Sequence, residues 1–171
     1  MKVILSMAVS ANGIIATNNG EEEFLSDETW GRFVKLANEI GCVVWGRKTN
    51  EAVMSYGQRY IDDIKNVKKV VVSKSNLELK EGYFLSTSPE EAIKQLESEG
   101  FEKILISGGA TLNSEFAKLN LIDEIILDIN SVIIGSGIPL FLPADFELKL
   151  KLKNAKTIEG GNVELVYEVI K

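Results

Sequence analysis

Apolar residues fall along the chain in short runs that alternate with segments of helical spacing. Residues 2–9, 42–49, 68–75 and 102–112 each contain a run of aliphatic side chains, as expected of strands that are buried on both faces. The segments between them repeat their apolar positions with the period of an α-helix. Alternating buried strands and helices are typical of βαβ units. The pattern therefore predicts an α/β protein with a mainly parallel sheet.

Two of the predicted helices carry clear signals at both ends. The first begins after Ser26, a good N-cap, and ends at Gly41. The second has Ser88 as its N-cap, a proline at the first helical position, Glu91 completing a capping box, and Gly100 at its end. These signals place the two helices at residues 27–40 and 89–99.

The pattern changes near the C-terminus. Residues 146–171 alternate strictly between polar and apolar positions and turn at residues 159–162, which predicts an antiparallel hairpin at the edge of the sheet. Lys149, Lys151 and Lys153 on its outward face would discourage pairing with a second sheet edge. The chain has no repeat, low-complexity tract or linker, so residues 1–171 are expected to form a single domain.

Composition narrows the possible chemistry. The chain of 171 residues has no histidine and one cysteine, so neither a Ser-His-Asp triad nor a metal site built on His and Cys is expected. Cys42 lies in an apolar run, which favours a reducing compartment and hence the cytoplasm. The net charge of −6 argues against nucleic acid as a partner, and no apolar stretch is long enough to cross a membrane. A small molecule therefore remains as the expected type of ligand.

Three apolar runs end in residues that suit phosphate groups. In a parallel sheet the carboxyl ends of the strands open on one edge, where ligands bind. That edge would collect residues 46–49 (GRKT), 73–75 (SKS) and 107–111 (SGGAT). Paired glycines allow the backbone to approach an oxyanion closely, a following helix presents unpaired N–H groups, and Arg and Lys supply positive charge. Together they suggest a dinucleotide that lies across several strands.

The same segments resemble those of a known family. VVWGRKTNEAV resembles the first cofactor motif of dihydrofolate reductases, and VVVSKS followed by ILISGGATLNSEF resembles the second and third. INSVIIGSGIPLF is similar to the glycine-rich stretch in the reductase domain of the bifunctional riboflavin-biosynthesis deaminase/reductase. The resemblance covers essentially the whole chain. It implies a three-layer dihydrofolate-reductase-like fold, with a mostly parallel central sheet and an antiparallel C-terminal hairpin at the edge.

The resemblance also implies NADPH as the cofactor. Residues 46–49 would bind its phosphates, with Arg47 or Lys48 near the adenosine 2′-phosphate. Residues 73–75 would lie by the adenosine ribose and its phosphate, and residues 108–112 would hold the pyrophosphate and the nicotinamide side. The backbone of Ala8 would meet the nicotinamide carboxamide. The cofactor-binding residues implied in this way are Ala8, Gly46, Arg47, Lys48, Thr49, Ser73, Lys74, Ser75, Ser107, Gly108, Gly109, Ala110, Thr111 and Leu112.

Candidate catalytic residues lie at the start of the first long helix. In dihydrofolate reductases a carboxylate a few residues before an aromatic binds the pteridine and assists protonation, and Asp27 precedes Trp30 in that way. Glu28 is an alternative, as is an ordered water, and both acids also suit the helix dipole without any catalytic role. If one of them is the proton donor, burial against Trp30 and Phe33 is expected to raise its pKa.

The expected activity is an NADPH-dependent reduction of a pyrimidine- or pteridine-type substrate. The favoured substrate is 5-amino-6-(5-phosphoribosylamino)uracil of riboflavin biosynthesis, and Ser10 and Asn12, which stand where that family has S-x-D-G, are predicted with Trp30 to contact it. The alternatives are dihydrofolate reduction and a non-catalytic module that binds NADPH or another nucleotide. The resemblance further implies a homodimer, in which residues 133–141 either contribute to the interface or fill the core.

Overall fold

The computed structural model describes residues 1–171 and is built around one large sheet and a small two-stranded one. The strands are β1 (Lys2–Ser10), β2 (Ile14–Ala16), β3 (Cys42–Gly46), β4 (Lys68–Val72), β5 (Tyr83–Ser86), β6 (Lys103–Ile106), β7 (Glu124–Asn130), β8 (Ile138–Pro139), β9 (Lys149–Thr157) and β10 (Val163–Ile170). The helices are α1 (Asp27–Ile40), α2 (Arg47–Ser55), α3 (Gln58–Asp63), α4 (Pro89–Ser98) and α5 (Ala110–Lys118).

The large sheet has eight strands in the order β5-β4-β3-β6-β1-β7-β10-β9. All pairs from β5 to β7 are parallel, whereas β7–β10 and β10–β9 are antiparallel. The predicted fold class is therefore confirmed: a mostly parallel central sheet ends in an antiparallel C-terminal hairpin. Because six strands run in the same direction, their carboxyl ends share one edge.

Helices cover both faces of this sheet and create three layers. On one face, Ala37 of α1 and Val53 of α2 belong to a buried apolar cluster that includes Trp45 of β3. On the opposite face, Leu96 of α4 and Phe116 of α5 belong to a second buried cluster. Strands β1, β3 and β6 contribute to both clusters, which is why their sequences are apolar at consecutive positions.

Helix α1 begins and ends as the sequence predicts. The Thr29 N–H donates to the Ser26 hydroxyl at 3.3 Å, which is the expected N-cap bond. Gly41 adopts φ 85° and its N–H donates to the Ala37 carbonyl at 2.8 Å. Helix α4 differs in one detail, because the Glu91 carboxylate accepts from the backbone N–H of Thr87 rather than from that of Ser88.

The C-terminal hairpin lies at the predicted edge, with a 3₁₀ turn at Glu159–Gly161. Every residue of β9 is exposed, so this strand has solvent on both faces and its lysines are solvated as expected. Residues 133–141 pack partly into the core: Ile138, Leu140 and Phe141 contact buried clusters, as the core-filling interpretation predicts, while Ile133 is 69% exposed. None of the helices has the length and apolar character needed to cross a membrane.

Candidate functional site

Two strand-to-helix turns meet at the carboxyl edge of the sheet. The Gly46 N–H, at the end of β3, donates to the Gly108 carbonyl at 2.8 Å. Gly108 has φ +84°, and a Cβ placed on it would lie 3.2 Å from Cε of Met7. A Cβ on Gly109 would lie 3.4 Å from the Thr49 hydroxyl. Backbone conformation and close packing therefore both favour glycine at position 108.

These turns leave two helix N-termini without a side-chain cap. Gly46 precedes α2 and Gly109 precedes α5, and neither provides a capping oxygen. The first N–H groups of a helix have no partner within the helix and carry a partial positive charge, so both ends suit an anion. Ala110 and Leu112 are buried behind the α5 turn, whereas Thr111 is exposed. Ligand contacts at residues 110 and 112 would therefore involve the backbone.

Positive charge lies on the same edge. Arg47 and Lys48 open α2 and are exposed, and Arg47 forms an ion pair with Glu51 at 2.8 Å. The turn after the neighbouring strand β4 holds Lys74, also exposed, and is tightened by the Ser75 N–H, which donates to the Ser73 hydroxyl at 3.1 Å. The structure thus brings residues 46–49, 73–75 and 107–111 to one edge, as predicted.

Strand β1 has an open backbone edge beside these turns. It pairs with β6 only over Lys2–Leu5 but continues along β7 as far as Ser10. The Lys2 N–H donates to the Glu102 carbonyl, so the even-numbered residues of β1 direct their N–H and C=O groups toward β6. Ala8 lies beyond the end of β6, and its backbone groups face that side with no strand partner. They are placed to bind an amide.

A cavity of about 640 Å³ lies between α1 and the sheet. At one end it is lined by residues of the strand-end turns, including Ala8, Thr49 and Gly109. It is also lined by the acidic segment that precedes α1, by Val53 of α2 and by Tyr60 of α3. The predicted cofactor edge and this cavity are therefore continuous.

Aromatic side chains form one wall of the cavity. Trp30 stacks at 5.1 Å on Phe33 and meets Tyr60 edge-on at 4.9 Å, and Tyr60 meets Tyr56 at 5.4 Å. The indole N–H of Trp30 donates to Asp63 at 2.8 Å, which orients the ring. The wall offers flat apolar surface of the kind that binds a planar heterocycle. Trp30 therefore lines the cavity, and its contact with a substrate stays a prediction.

Asp27 and Glu28 are more exposed than predicted. Asp27 lies on the rim of the cavity with its side chain 69% exposed, 3.8 Å from Arg59. Glu28 does not line this cavity, and its pKa is lowered by hydrogen bonds to its own backbone N–H and to the Ser26 side chain. The expected burial and raised pKa are therefore wrong for Glu28, and the expected burial is wrong for Asp27. Their catalytic roles stay predictions.

A partly buried carboxyl in the cavity wall, that of Glu22, escaped the sequence analysis. The Tyr56 hydroxyl donates to Oε2 of Glu22, and both residues line the cavity. Burial raises the pKa of Glu22, and the hydrogen bond from Tyr56 lowers it to a smaller extent. The sequence shows only three consecutive acids in a loop, which is typical of a solvated segment. No local pattern in the sequence indicates that Tyr56 contacts Glu22, the middle acid of the three.

The sheet side of the cavity carries a row of paired charges. The Arg32 Nε donates to Asp128 at 2.8 Å, and its Nη1 donates to Glu159 at 2.7 Å. Glu164 lies beside Asp128 on β10 and pairs with Lys156 at 2.9 Å. Burial raises the pKa of Asp128, partly offset by Arg32. The sequence analysis did not single out these residues, because they come from five separate elements.

Ser10 and Asn12 form hydrogen bonds with other residues of the protein. The Ser10 side chain is fully buried, donates to Oδ1 of Asn12 at 2.8 Å and accepts from the Ile14 N–H at 2.9 Å. The Asn12 amide also donates to the Ile134 carbonyl at 2.7 Å and accepts from its N–H. Neither residue lines the cavity. These bonds hold the turn after β1 against residues 131–135, and contact with a substrate stays a prediction.

Known proteins match the chain over almost its whole length. The sequence model of the RibD C-terminal domain matches residues 1–163. The uncharacterized protein YyaP of Bacillus subtilis (strain 168) is 30% identical over 177 residues, which cover 97% of this chain and 94% of YyaP.

Solved structures share the fold at low sequence identity. A protein from Shewanella sp. PV-4 that is assigned to riboflavin biosynthesis superposes with a TM-score of 0.85 at 23% identity, with 100% of both chains covered. A diaminohydroxyphosphoribosylaminopyrimidine deaminase/5-amino-6-(5-phosphoribosylamino)uracil reductase from Thermotoga maritima gives a TM-score of 0.75 at 18% identity. That alignment covers 99% of this chain and 56% of the longer Thermotoga maritima chain.

Proposed function

The chain belongs to the RibD C-terminal domain family, and on this premise we propose that it is an NADPH-dependent reductase of a pyrimidine- or pteridine-type substrate. Reductase domains of this family use a nicotinamide cofactor, which supplies a hydride when bound. The observation that carries the proposal is the continuity of the cavity with the strand-end turns. A ligand held at those turns and one held against Trp30 would meet near Ala8.

The residues present fit a nicotinamide dinucleotide. The uncapped starts of α2 and α5 would hold its pyrophosphate, and the open backbone of Ala8 would bind the carboxamide. Arg47, Lys48 and Lys74 supply the positive charge that a 2′-phosphate requires and that NADH would leave without a partner. This difference is the reason for proposing NADPH rather than NADH.

The protein would contribute orientation and a proton. Trp30 and Phe33 would hold a planar ring against the sheet, so that hydride transfer would take place between α1 and the strand-end turns. Glu22 is partly buried and its pKa is raised, which suits a general acid in the cavity wall. Asp27 at the rim or a water is the alternative.

The substrates to test first contain a pyrimidine ring, either alone or as part of a pteridine. The aminouracil intermediate of riboflavin biosynthesis, whose opened sugar would be reduced to a ribityl chain, represents the pyrimidines, and dihydrofolate represents the pteridines.

We place this reaction in the cytoplasm. A homodimer is the proposed assembly, with sedimentation at micromolar concentration as its test.

Titration with NADPH and with NADH, followed by quenching of Trp30 and Trp45 emission, tests the cofactor. Tighter binding of NADPH is expected, and no binding at high micromolar concentration would reject the proposal. Loss of reduced-nicotinamide absorbance on adding the aminouracil or dihydrofolate then tests the reaction. Binding of NADPH without consumption on either substrate would favour the non-catalytic nucleotide-binding module instead.

A further inference from the structure

Three buried polar atoms of the residues that line the cavity have no hydrogen-bond partner within the protein. They are Nη2 of Arg32, Oδ1 of Asp128 and the indole Nε1 of Trp45. The other side-chain atoms of this kind belong to Asn50 and Asn113, which do not line the cavity. Buried polar groups are normally paired, because an unsatisfied one destabilises the fold. Unused hydrogen-bonding groups are therefore concentrated around the cavity.

Arg32 and Asp128 form an ion pair that is only half closed. Nε of Arg32 donates to Oδ2 of Asp128 at 2.8 Å. In a planar guanidinium, Nε–H and one N–H of Nη2 point in the same direction, so a carboxylate often accepts from both at once. Here Nη2 and Oδ1 do not form that second bond. The pair thus keeps an unused donor and an unused acceptor beside the bond that is formed.

Neighbouring charges hold both side chains without satisfying these atoms. Nη1 of Arg32 donates to Glu159 at 2.7 Å, which fixes the other end of the guanidinium. Glu164, which lies opposite Asp128 on β10, pairs with Lys156 at 2.9 Å, so this lysine already has a carboxylate partner. Burial raises the pKa of Asp128, and Arg32 offsets this only in part. A further hydrogen-bond donor would therefore stabilise the Asp128 carboxylate.

Both side chains reach the cavity surface. Arg32 is 22% exposed and Asp128 is 13% exposed, whereas Nη2 and Oδ1 themselves are shielded. The terminal torsion of an aspartate is broad and roughly two-fold, so a rotation of the carboxylate turns Oδ1 toward the cavity. A ligand that supplies partners for both atoms would offset the cost of this rotation.

Resting on the proposed function, we propose that Arg32 and Asp128 determine specificity by binding a cyclic amide of the substrate ring. Nη2 of Arg32 donates to the ring carbonyl oxygen, and Asp128 accepts from the neighbouring ring N–H. An amide carries one acceptor and one donor on adjacent groups, which complements the open half of the ion pair. The N3–H and C4=O groups form the cyclic amide that the uracil ring and the 4-oxopteridine of dihydrofolate have in common.

The register of the sheet places this contact beside the proposed nicotinamide. Asp128 on β7 lies opposite Ala8 on β1, and such partners have their side chains on the same face of the sheet. Neighbouring strands are about 4.8 Å apart, so a ring held by Asp128 lies close to the backbone that would bind the carboxamide. Trp30 and Phe33 are on the same helix as Arg32 and would cover the ring. Binding of the amide thus sets which side of the ring faces the hydride.

Methylation of the ring nitrogen tests this contact. The parent compound is 5-amino-6-(5-phosphoribosylamino)uracil or dihydrofolate, whichever the protein binds, and the probe is its N3-methyl derivative. Both are titrated by calorimetry into the protein saturated with NADP⁺, which allows no reduction. The derivative is expected to bind about tenfold more weakly or worse, because it cannot donate to Asp128. Equal affinity would overturn the inference and leave the proposed reductase intact.

Variants separate the hydrogen bond from the bulk of the methyl group. Asp128→Ala removes the acceptor, makes room for the methyl group and leaves Arg32 paired with Glu159. The preference for the parent compound should fall at least about fivefold in this variant. Glu168→Ala removes the carboxylate of an exposed pair with Lys153 outside the cavity and should leave the preference unchanged. A preference that persists in Asp128→Ala contradicts the inference.

A double substitution serves if Asp128→Ala does not fold. Arg32→Met with Asp128→Leu replaces the ion pair by apolar side chains and leaves no unpaired buried charge at the two positions. This variant should bind the parent compound and the N3-methyl derivative with nearly equal affinity. A tenfold preference for the parent compound would show that other residues read the ring, and the inference would be wrong.

Failure of the proposed function has a different signature. If NADPH does not quench tryptophan emission, the cofactor is wrong; if the cofactor binds but neither parent compound does, the substrate ring is wrong. Either result rejects the inference as well, because it depends on that ring. Equal binding of the parent compound and its N3-methyl derivative rejects the inference alone.

Discussion

Gly108 is restricted by both its backbone conformation and its packing. Its φ of +84° is strained for any residue with a Cβ, and the added Cβ would lie within 3.3 Å of both Cε and Sδ of Met7. We expect Gly108→Ala to lower the free energy of unfolding by about 1–3 kcal/mol. It should also weaken NADPH binding, because the turn before α5 would move. Urea denaturation and cofactor titration measure the two effects.

Gly135→Ala is the matched control for this substitution. Gly135 is exposed, its φ is not positive, and no atom lies within 4 Å of an added Cβ. The free energy of unfolding should change by less than about 0.5 kcal/mol. If both variants unfold at the same urea concentration as the wild type, the close approach of Gly108 to Met7 is not a constraint on the fold.

The raised pKa of Glu22 predicts that the stability of the protein depends on pH. Its pKa is raised in the folded protein by burial, so the native state holds this proton more tightly than the unfolded chain does. Its contribution to stability is thus fully present below the unfolded pKa of about 4.3 and is lost as pH rises through the higher folded pKa. Glu22→Gln removes this loss, and the variant should gain stability relative to wild type as pH rises from 4 to 8.

Thermal unfolding of both proteins across that pH range provides the measurement. Glu23→Gln removes the same charge from an exposed neighbour and separates the effect of burial from that of net charge. A difference between Glu22→Gln and wild type that stays constant with pH would mean that Glu22 is solvated in solution. Since the proposed proton donor is this group, kcat of Glu22→Gln should also fall.

At the scale of elements, the turn after β4 distinguishes the two nicotinamide cofactors. Lys74 is the exposed cation of that turn, and β4 is the strand next to β3. Lys74→Ala is expected to weaken NADPH binding about threefold to tenfold and to leave NADH binding nearly unchanged, because only NADPH carries a 2′-phosphate. Lys80→Ala, an exposed lysine further along the same connection, is the control. Equal losses for both cofactors would place the 2′-phosphate elsewhere.

The elements that the sequence predicts correctly are those with local signals. Helix α1 has an N-cap at Ser26 and a left-handed glycine at its end, and β1 is largely apolar, so neither depends on distant residues for its identification. Strand β5 was missed because its four residues are mostly only partly buried or exposed and do not form a run of aliphatic side chains like that of β6. The β2–β8 pair was missed because its strands have three and two residues. Short pairings of this kind are decided by tertiary contacts.

Part of the candidate site could likewise be predicted from local signals in the sequence, and part could not. The strand-end turns could be predicted because glycine, serine and basic residues follow apolar runs directly. The cavity charges could not, because Arg32, Asp128 and Glu164 are far apart in the sequence and become neighbours only through the order β1-β7-β10. The same holds for Glu22, whose burial depends on Tyr56 more than 30 residues later.

Across the whole molecule, the net charge of −6 is distributed unevenly. The basic residues that follow β3 and β4, namely Arg47, Lys48 and Lys74, lie on one part of the carboxyl edge, and carboxylates dominate the cavity beside it. A dinucleotide that crosses this boundary would have its phosphates on the basic side and its nicotinamide on the acidic side. Such an arrangement would hold the cofactor in one orientation.

Binding at this edge should stabilise the entire fold. The turns that would hold NADPH connect β3 to α2 and β6 to α5, so they are formed only when the central strands are paired. A ligand that binds the native state alone adds about 2.7 kcal/mol at a concentration 100 times its Kd. For a chain of this size we expect the Tm to rise by about 5–10 °C. NADH at the same concentration should raise it less, and Gly108→Ala should reduce the rise. A Tm that NADPH leaves unchanged would mean that the strand-end turns do not bind it.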